Sequence, residues 1–150
     1  MRVVIQRVSN ASVSIDGKLK SQIKHGLLIL IGIEEADNSD DVNWLCKKIS
    51  SLRIFNDEEN KMNLSVLDID GDVLIVSQFT LHASTKKGNR PSYIKAARPE
   101  IAIPVYESFI SEMEIRLNKK VGSGEFGAMM KIELINDGPV TIVLDSKRKE

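Results

Sequence analysis

Ser77, Gln78, Phe79 and Thr80 place two hydroxyls and an amide at the end of the apolar run Val73-Leu74-Ile75-Val76. A rigid strand that delivers polar side chains and backbone N–H groups into a turn is good scaffolding for a site. The chemistry on offer is nucleophilic attack by a hydroxyl, or stabilisation of an oxyanion by N–H donors. A plainer reading has Ser77, Gln78 and Thr80 satisfying backbone groups at a strand end, and the pattern alone favours it. His82 is the nearest base to Thr80, but no acid is placed to orient it, so it reads as a loop residue. A second segment, Asn136-Asp137-Gly138-Pro139-Val140-Thr141, sets glycine before proline in a tight connection that can hold a cis peptide. An ordinary turn with a trans bond is the plainer reading there.

Metal and thiol chemistry have little support. The single cysteine, Cys46, excludes an internal disulfide and a thiolate cluster, and it falls on an apolar stripe that makes it core. The two histidines, His25 and His82, would need carboxylates at ligand spacing to build a zinc site, and no such spacing occurs. No metal and no cofactor are expected. The basic run Lys86-Lys87-Gly88-Asn89-Arg90 is either a solvated loop or a contact for phosphates.

These residues need a frame. Val3 and Ile5 begin one strand and Ala11 to Ile15 give another, with a hairpin signal at Asp16-Gly17 and a return over Lys18 to Ile23. Leu27 to Ile31 is continuously apolar, which predicts a strand covered on both faces. Asn38 and Ser39 offer caps, Asp40 and Asp41 suit a helix start, and Val42, Leu45, Cys46, Ile49 and Leu52 recur at helical spacing. Arg53 to Phe55 predicts a short strand, and Val73 to Val76 a second buried one running into Ser77. His82 to Arg90 predicts a surface loop. Pro104 suits the first turn of a helix with Val105, Phe109, Met113 and Leu117 on one face. Met130 to Leu134 alternates as a half-buried strand up to the glycine–proline turn, Thr141 to Leu144 is the last strand, and Lys147 to Glu150 should fray. Strands in runs with two separated helices predict an α+β fold: a single domain over residues 1–150 with a curved or barrel-like, mainly antiparallel sheet.

Composition narrows the class. A chain of 150 residues with 42% hydrophobic residues can bury a real core as one domain. A balance of 21 basic against 21 acidic residues argues against a protein that coats nucleic acid non-specifically, though a few local cations can still hold one RNA end. The start, Met1 to Val8, lacks the apolar run of a signal peptide, and the longest apolar run is too short to span a bilayer. The expectation is a cytoplasmic enzyme with no membrane partner. A non-catalytic RNA-binding module would want stacking platforms, yet aromatics make up only 5% of the chain. A small-molecule esterase would want a nucleophile elbow, and Gly122-Ser123-Gly124 lacks that form.

Three segments carry a resemblance. Met1-Arg2-Val3-Val4-Ile5-Gln6-Arg7-Val8, Ser77-Gln78-Phe79-Thr80-Leu81 and Asn136-Asp137-Gly138-Pro139-Val140-Thr141 together resemble the D-aminoacyl-tRNA deacylase family. Phe126-Gly127-Ala128 through Met130 resembles that family's approach to its glycine–proline turn, and the likeness runs end to end in order. It implies a homodimer with active sites at the interface, hydrolysis of the ester of D-aminoacyl-tRNA and of glycyl-tRNA, and chiral proofreading of translation. The partner it implies is the acceptor end of an aminoacyl-tRNA. It assigns Ser77, Gln78, Phe79 and Thr80 to the catalytic pocket, Gly138 and Pro139 to chiral selection in the partner's site, and Arg7 to a strut beneath them. On this reading main-chain oxygens near Gly138-Pro139 capture the substrate's α-ammonium and leave no room for an L side chain. An aminoacyl ester is labile, so placement and N–H donors near Phe79 and Thr80 suffice, with water attacking beside the ribose 2′-hydroxyl in preference to attack by Thr80.

Overall fold

The computed structural model describes residues 1–149. Its spine is β1 (Arg2–Ile15), a single strand of 14 residues where two were expected. One edge of β1 pairs with β3 (Gly26–Gly32) along Arg2–Val8 and with β2 (Lys18–Ile23) along Ala11–Ile15, both antiparallel. The Asp16-Gly17 hairpin forms as predicted, with φ of 50° and 75°. The other edge of β1 pairs with β8 (Met130–Asp145) over nearly its whole length.

Two parallel pairings make the sheet mixed. β6 (Asp72–Ser77) runs beside β3, and the two-residue β7 (Gly122–Ser123) runs beside β6. Ser123 N–H donates to the Ser21 hydroxyl at 3.2 Å, so β7 meets β2 and the sheet curls nearly shut. Inside the curl lie Val8, Ala11, Val13, Ile23, Leu28, Leu74 and Val76. The two faces of β3 therefore serve different cores, as its unbroken apolar run predicted.

The second core lies between the sheet and two helices. Helix α1 (Ser39–Ser50) begins at Asn38, whose side chain accepts from Asp40 N–H while Asp41 caps back onto Asn38 N–H. Its buried stripe is Val42, Leu45, Cys46 and Ile49. Helix α2 (Pro99–Leu117) starts a turn and a half earlier than expected: Pro99, not Pro104, opens it, and Pro104 sits inside the helix. Tyr106 pins α2 to β6 by donating its hydroxyl to the Ile75 carbonyl at 2.9 Å. Burial pushes that phenol up to about 12, so it remains a donor throughout the physiological range. A small hairpin, β4 (Phe55–Asn56) with β5 (Met62–Leu64), stands where a strand over Arg53–Phe55 was expected.

Two further expectations are corrected. Asn136 to Thr141 is not a turn between separate strands, because β8 resumes pairing with β1 on both sides of it. Val8 lies opposite Asn136 and Gln6 opposite Thr141, so residues 137–140 bulge out against Arg7 alone. Lys147 does not fray. Its Nζ reaches the Asp41 carboxylate at 2.7 Å and the Ala36 carbonyl at 3.0 Å, beside the buried Met1 ammonium held by Asp37 and Ser146. Glu150, expected to fray with it, lies outside the described residues.

Candidate active site

β3 and β6 are parallel, so both end at the same edge of the sheet. Past that edge Gln78 N–H donates to the Ile31 carbonyl at 2.7 Å, and the chain turns at once into one 3₁₀ turn, Phe79–His82. Gly32 makes room for it. A Cβ there would stand 2.9 Å from Leu81 Cβ and 3.0 Å from the Gln78 carbonyl oxygen, closer than packed atoms allow. Arg2 secures the turn from outside, with Nη1 to the Leu81 carbonyl at 3.2 Å and Nε to Asp145 at 2.8 Å. Burial works against the Asp145 carboxylate, but hydrogen bonds from Arg2 and from Lys147 N–H hold it below the usual carboxylate range.

The turn floors a cleft of about 290 Å³. Ser77, Gln78 and Phe79 line it with Val76, Ala97 and Phe126, and the segment Gly127–Met130 forms a wall. Phe79 and Met129 stand at the mouth, 54% and 87% exposed. Gln78 donates its side-chain amide to the Thr80 hydroxyl, so that oxygen already accepts a hydrogen bond. The first amides of a helical turn, here those of Phe79 and Thr80, have no acceptor within the turn. Of the four residues expected in the pocket, Ser77, Gln78 and Phe79 line the cleft, whereas Thr80 is not among its lining residues and is joined to them through Gln78.

His82 is the clearest departure from the sequence reading. Instead of lying on a loop it is 1% exposed, and neither ring nitrogen has a hydrogen-bond partner. It packs against Gly32 beneath the turn. The signal was available: a glycine closing the apolar β3 marks a close approach, and what approaches is the turn itself, Leu81 Cβ and the Gln78 carbonyl with His82 Cδ2 beside them.

Arg7, Gly138 and Pro139 form a separate group. Arg7 is 7% exposed and donates from Nη1 to the Ile54 carbonyl at 2.7 Å and from Nε to the Asp137 carbonyl at 3.1 Å. The Gly138–Pro139 peptide is cis, Gly138 has φ +125°, and both residues are exposed. Neither lines the cleft. Arg7 pairs with Leu27 at the start of β3, whereas Ser77 pairs with Ile31 near its end. That offset of four residues is about 13 Å along a strand. One chain does not bring the two groups together.

An apolar cleft lined by Ser77, Gln78 and Phe79 thus opens at one edge of a small barrel-like α+β domain. The chain belongs to the D-Tyr-tRNA(Tyr) deacylase family, which it matches over residues 4–145. It is 65% identical to a D-aminoacyl-tRNA deacylase of Bacteroides fragilis and 65% identical to one of Flavobacterium psychrophilum, in each case over the whole of both chains. Among solved structures it is similar to one titled c-Myc DNA Unwinding Element Binding Protein, at 39% identity and TM-score 0.90, covering 97% of this chain and 98% of that one. A probable eukaryotic D-amino acid tRNA deacylase shares the fold at 16% identity and TM-score 0.82, covering 95% and 97%.

Proposed function

We propose that this protein hydrolyses the ester of D-aminoacyl-tRNA, releasing the free D-amino acid and tRNA, and clears glycyl-tRNA by the same chemistry. The reading rests on the family match over residues 4–145 joined to the cleft that Ser77, Gln78 and Phe79 line at the strand edge. Water adds to the ester carbonyl carbon, and the oxyanion that forms is met by the amides of Phe79 and Thr80. The bond to the ribose oxygen then breaks, and the water proton passes to that oxygen with the neighbouring 2′-hydroxyl as relay. Thr80 already accepts a hydrogen bond from Gln78 and has no base beside it, which favours water over Thr80 as the nucleophile.

The working unit on this reading is a homodimer. β8 is an edge strand of 16 residues that pairs on one side only, with β1. Leu30, Val4 and Val143 lie in one row across β3, β1 and β8, on the face away from the helices. Val143 and Ile135 are 67% and 58% exposed. A long edge with apolar side chains invites a second copy. Each cleft would then receive the Gly138-Pro139 segment of the partner subunit, whose main-chain oxygens take the substrate's α-ammonium and exclude an L side chain. Among the described residues no helix is long and apolar enough to cross a membrane. The place of action is the cytoplasm, where aminoacyl-tRNA is made and used.

The test is a comparison of D-aminoacyl-tRNA, L-aminoacyl-tRNA and a small carboxylic ester under one set of conditions. Release from the D-form, with the L-form at least a hundredfold slower and the small ester inert, is expected. Equal cleavage of D and L forms, or turnover of the small ester alone, overturns the reading.

A further inference from the structure

The formal charge of the chain is zero, yet residues 83–99 hold five cations, Lys86, Lys87, Arg90, Lys95 and Arg98, and no acid. The remainder of the chain therefore carries a formal excess of five acids. All five cations are exposed, and among the described residues none is ion-paired, although lysines elsewhere find carboxylates. An unpaired cluster of one sign beside a cleft raises the local concentration of an anionic ligand.

The segment is held in place at three points. Ser84 and Ser92 exchange backbone hydrogen bonds of 2.8 and 2.9 Å, closing a neck that presents Lys86, Lys87 and Arg90 at the tip. Ala97 N–H donates to the Ile33 carbonyl at 2.9 Å, fixing the base on the continuation of β3. Tyr93 sets its ring against Phe79, with centroids 5.0 Å apart. Phe79 and Ala97 both line the cleft, so the basic loop is continuous with its wall.

We propose that this loop, residues 84–98, is the docking surface for the phosphates next to the 3′ end of the RNA substrate. The assignment rests on the functional reading above: with the ester carbonyl over the Phe79 turn, the phosphates that follow have this loop as their neighbour. The loop supplies affinity and register without touching the reacting atoms, and without reading sequence, since phosphate contacts position a nucleic acid but do not identify it.

The probe is an RNA minihelix of the acceptor stem, used deacylated for binding and D-aminoacylated for turnover. For the parent protein, the logarithm of the binding constant should fall steeply against the logarithm of salt, each phosphate contact adding about 0.7–0.9 to the slope. The Lys86→Ala/Lys87→Ala/Arg90→Ala variant should lose about 2–3 from that slope. It should raise KM on the aminoacylated minihelix at least tenfold with kcat within twofold, and unfold thermally like the parent. Lys86→Arg with Lys87→Arg should restore both slope and KM. An unchanged slope with unchanged KM overturns the loop assignment, as does a fall in kcat with KM untouched. Binding is read on the deacylated RNA, so a parent that binds through the loop but fails to cleave refutes the functional reading and not this one.

Discussion

Arg7 joins the Ile54 carbonyl to the Asp137 carbonyl, one end of its guanidinium on each, at the point where β8 leaves and rejoins β1. A planar fork with several fixed donors suits that double contact, and an ammonium on a flexible stem does not. Arg7→Lys should therefore cost D-aminoacyl-tRNA turnover at least tenfold, and Arg7→Met more. Each carbonyl left unpaired in a buried position costs about 1–3 kcal/mol, so the urea midpoint should fall as well. Normal turnover in a folded Arg7→Met protein would show that the 137–140 bulge needs no strut.

Thr80→Ala tests the nucleophile directly. The Thr80 hydroxyl is bonded to Gln78 and has no base, so its removal should leave turnover within about tenfold of the parent, a loss of roughly 1.4 kcal/mol in transition-state stabilisation. Single-turnover kinetics at saturating enzyme give the number. A drop beyond a thousandfold, with substrate still bound, would make Thr80 the attacking group.

Gly138 has φ +125°, and a Cβ on it would stand 2.8 Å from Arg7 Nη2. Gly138→Ala should be severe, losing most D-aminoacyl-tRNA turnover with about 1–3 kcal/mol of local strain. If clefts are shared between subunits, mixing this variant with one disabled at Phe79 should restore activity, because one site of each heterodimer is then built from intact parts. Mass spectrometry confirms subunit exchange. Exchange without recovery would place Gly138 and the Phe79 turn in the same subunit's site.

Asp41 gives the pH dependence. Burial works against its charge, but hydrogen bonds from Lys147, Ser146 and Asn38 hold its carboxyl below the usual value. A lowered folded value means stability that is fully present above the ordinary carboxylate value of about 3.9 and is lost as pH falls through the folded one. Asp41→Asn should therefore lower stability by about 1.5–3 kcal/mol at pH 7 and by much less near pH 2. Denaturant titrations at the two pH values check it, and an equal loss at both would leave the carboxylate charge without a role.

The frame was legible wherever one local rule decided the matter. Asn38 with Asp41 announced α1, Asp16-Gly17 announced its hairpin, and the unbroken run through β3 announced a strand with a core on either side. The failures share a physical cause. Pairing across β1 joins residues more than a hundred positions apart, so nothing near Asn136 could tell a hairpin from a bulge whose strand continues beyond it. His82 looked like loop because its neighbours in sequence are polar, but Gly32, distant in sequence, opens the space that buries it. For the candidate site, the resemblance singled out Ser77–Thr80, Gly138-Pro139 and Arg7, and the structure sets Ser77, Gln78 and Phe79 along a cleft and Arg7 against the Asp137 carbonyl beside Gly138. The separation of the two groups along β3 was not legible, because distance within a sheet depends on register.

The parallel pairing of β3 with β6 has a longer reach. Both strands end at one edge, and of the chain that follows β6 the stretch 83–98 contributes no fully buried residue to either core. Doubling the length of such a connection costs only about 0.6 kcal/mol in closure entropy. Descendants of this chain can therefore lengthen or rewrite residues 83–98, and on the loop assignment proposed above alter how tightly RNA is held, while inheriting the barrel unchanged. Innovation and foldability are carried by different parts of the molecule.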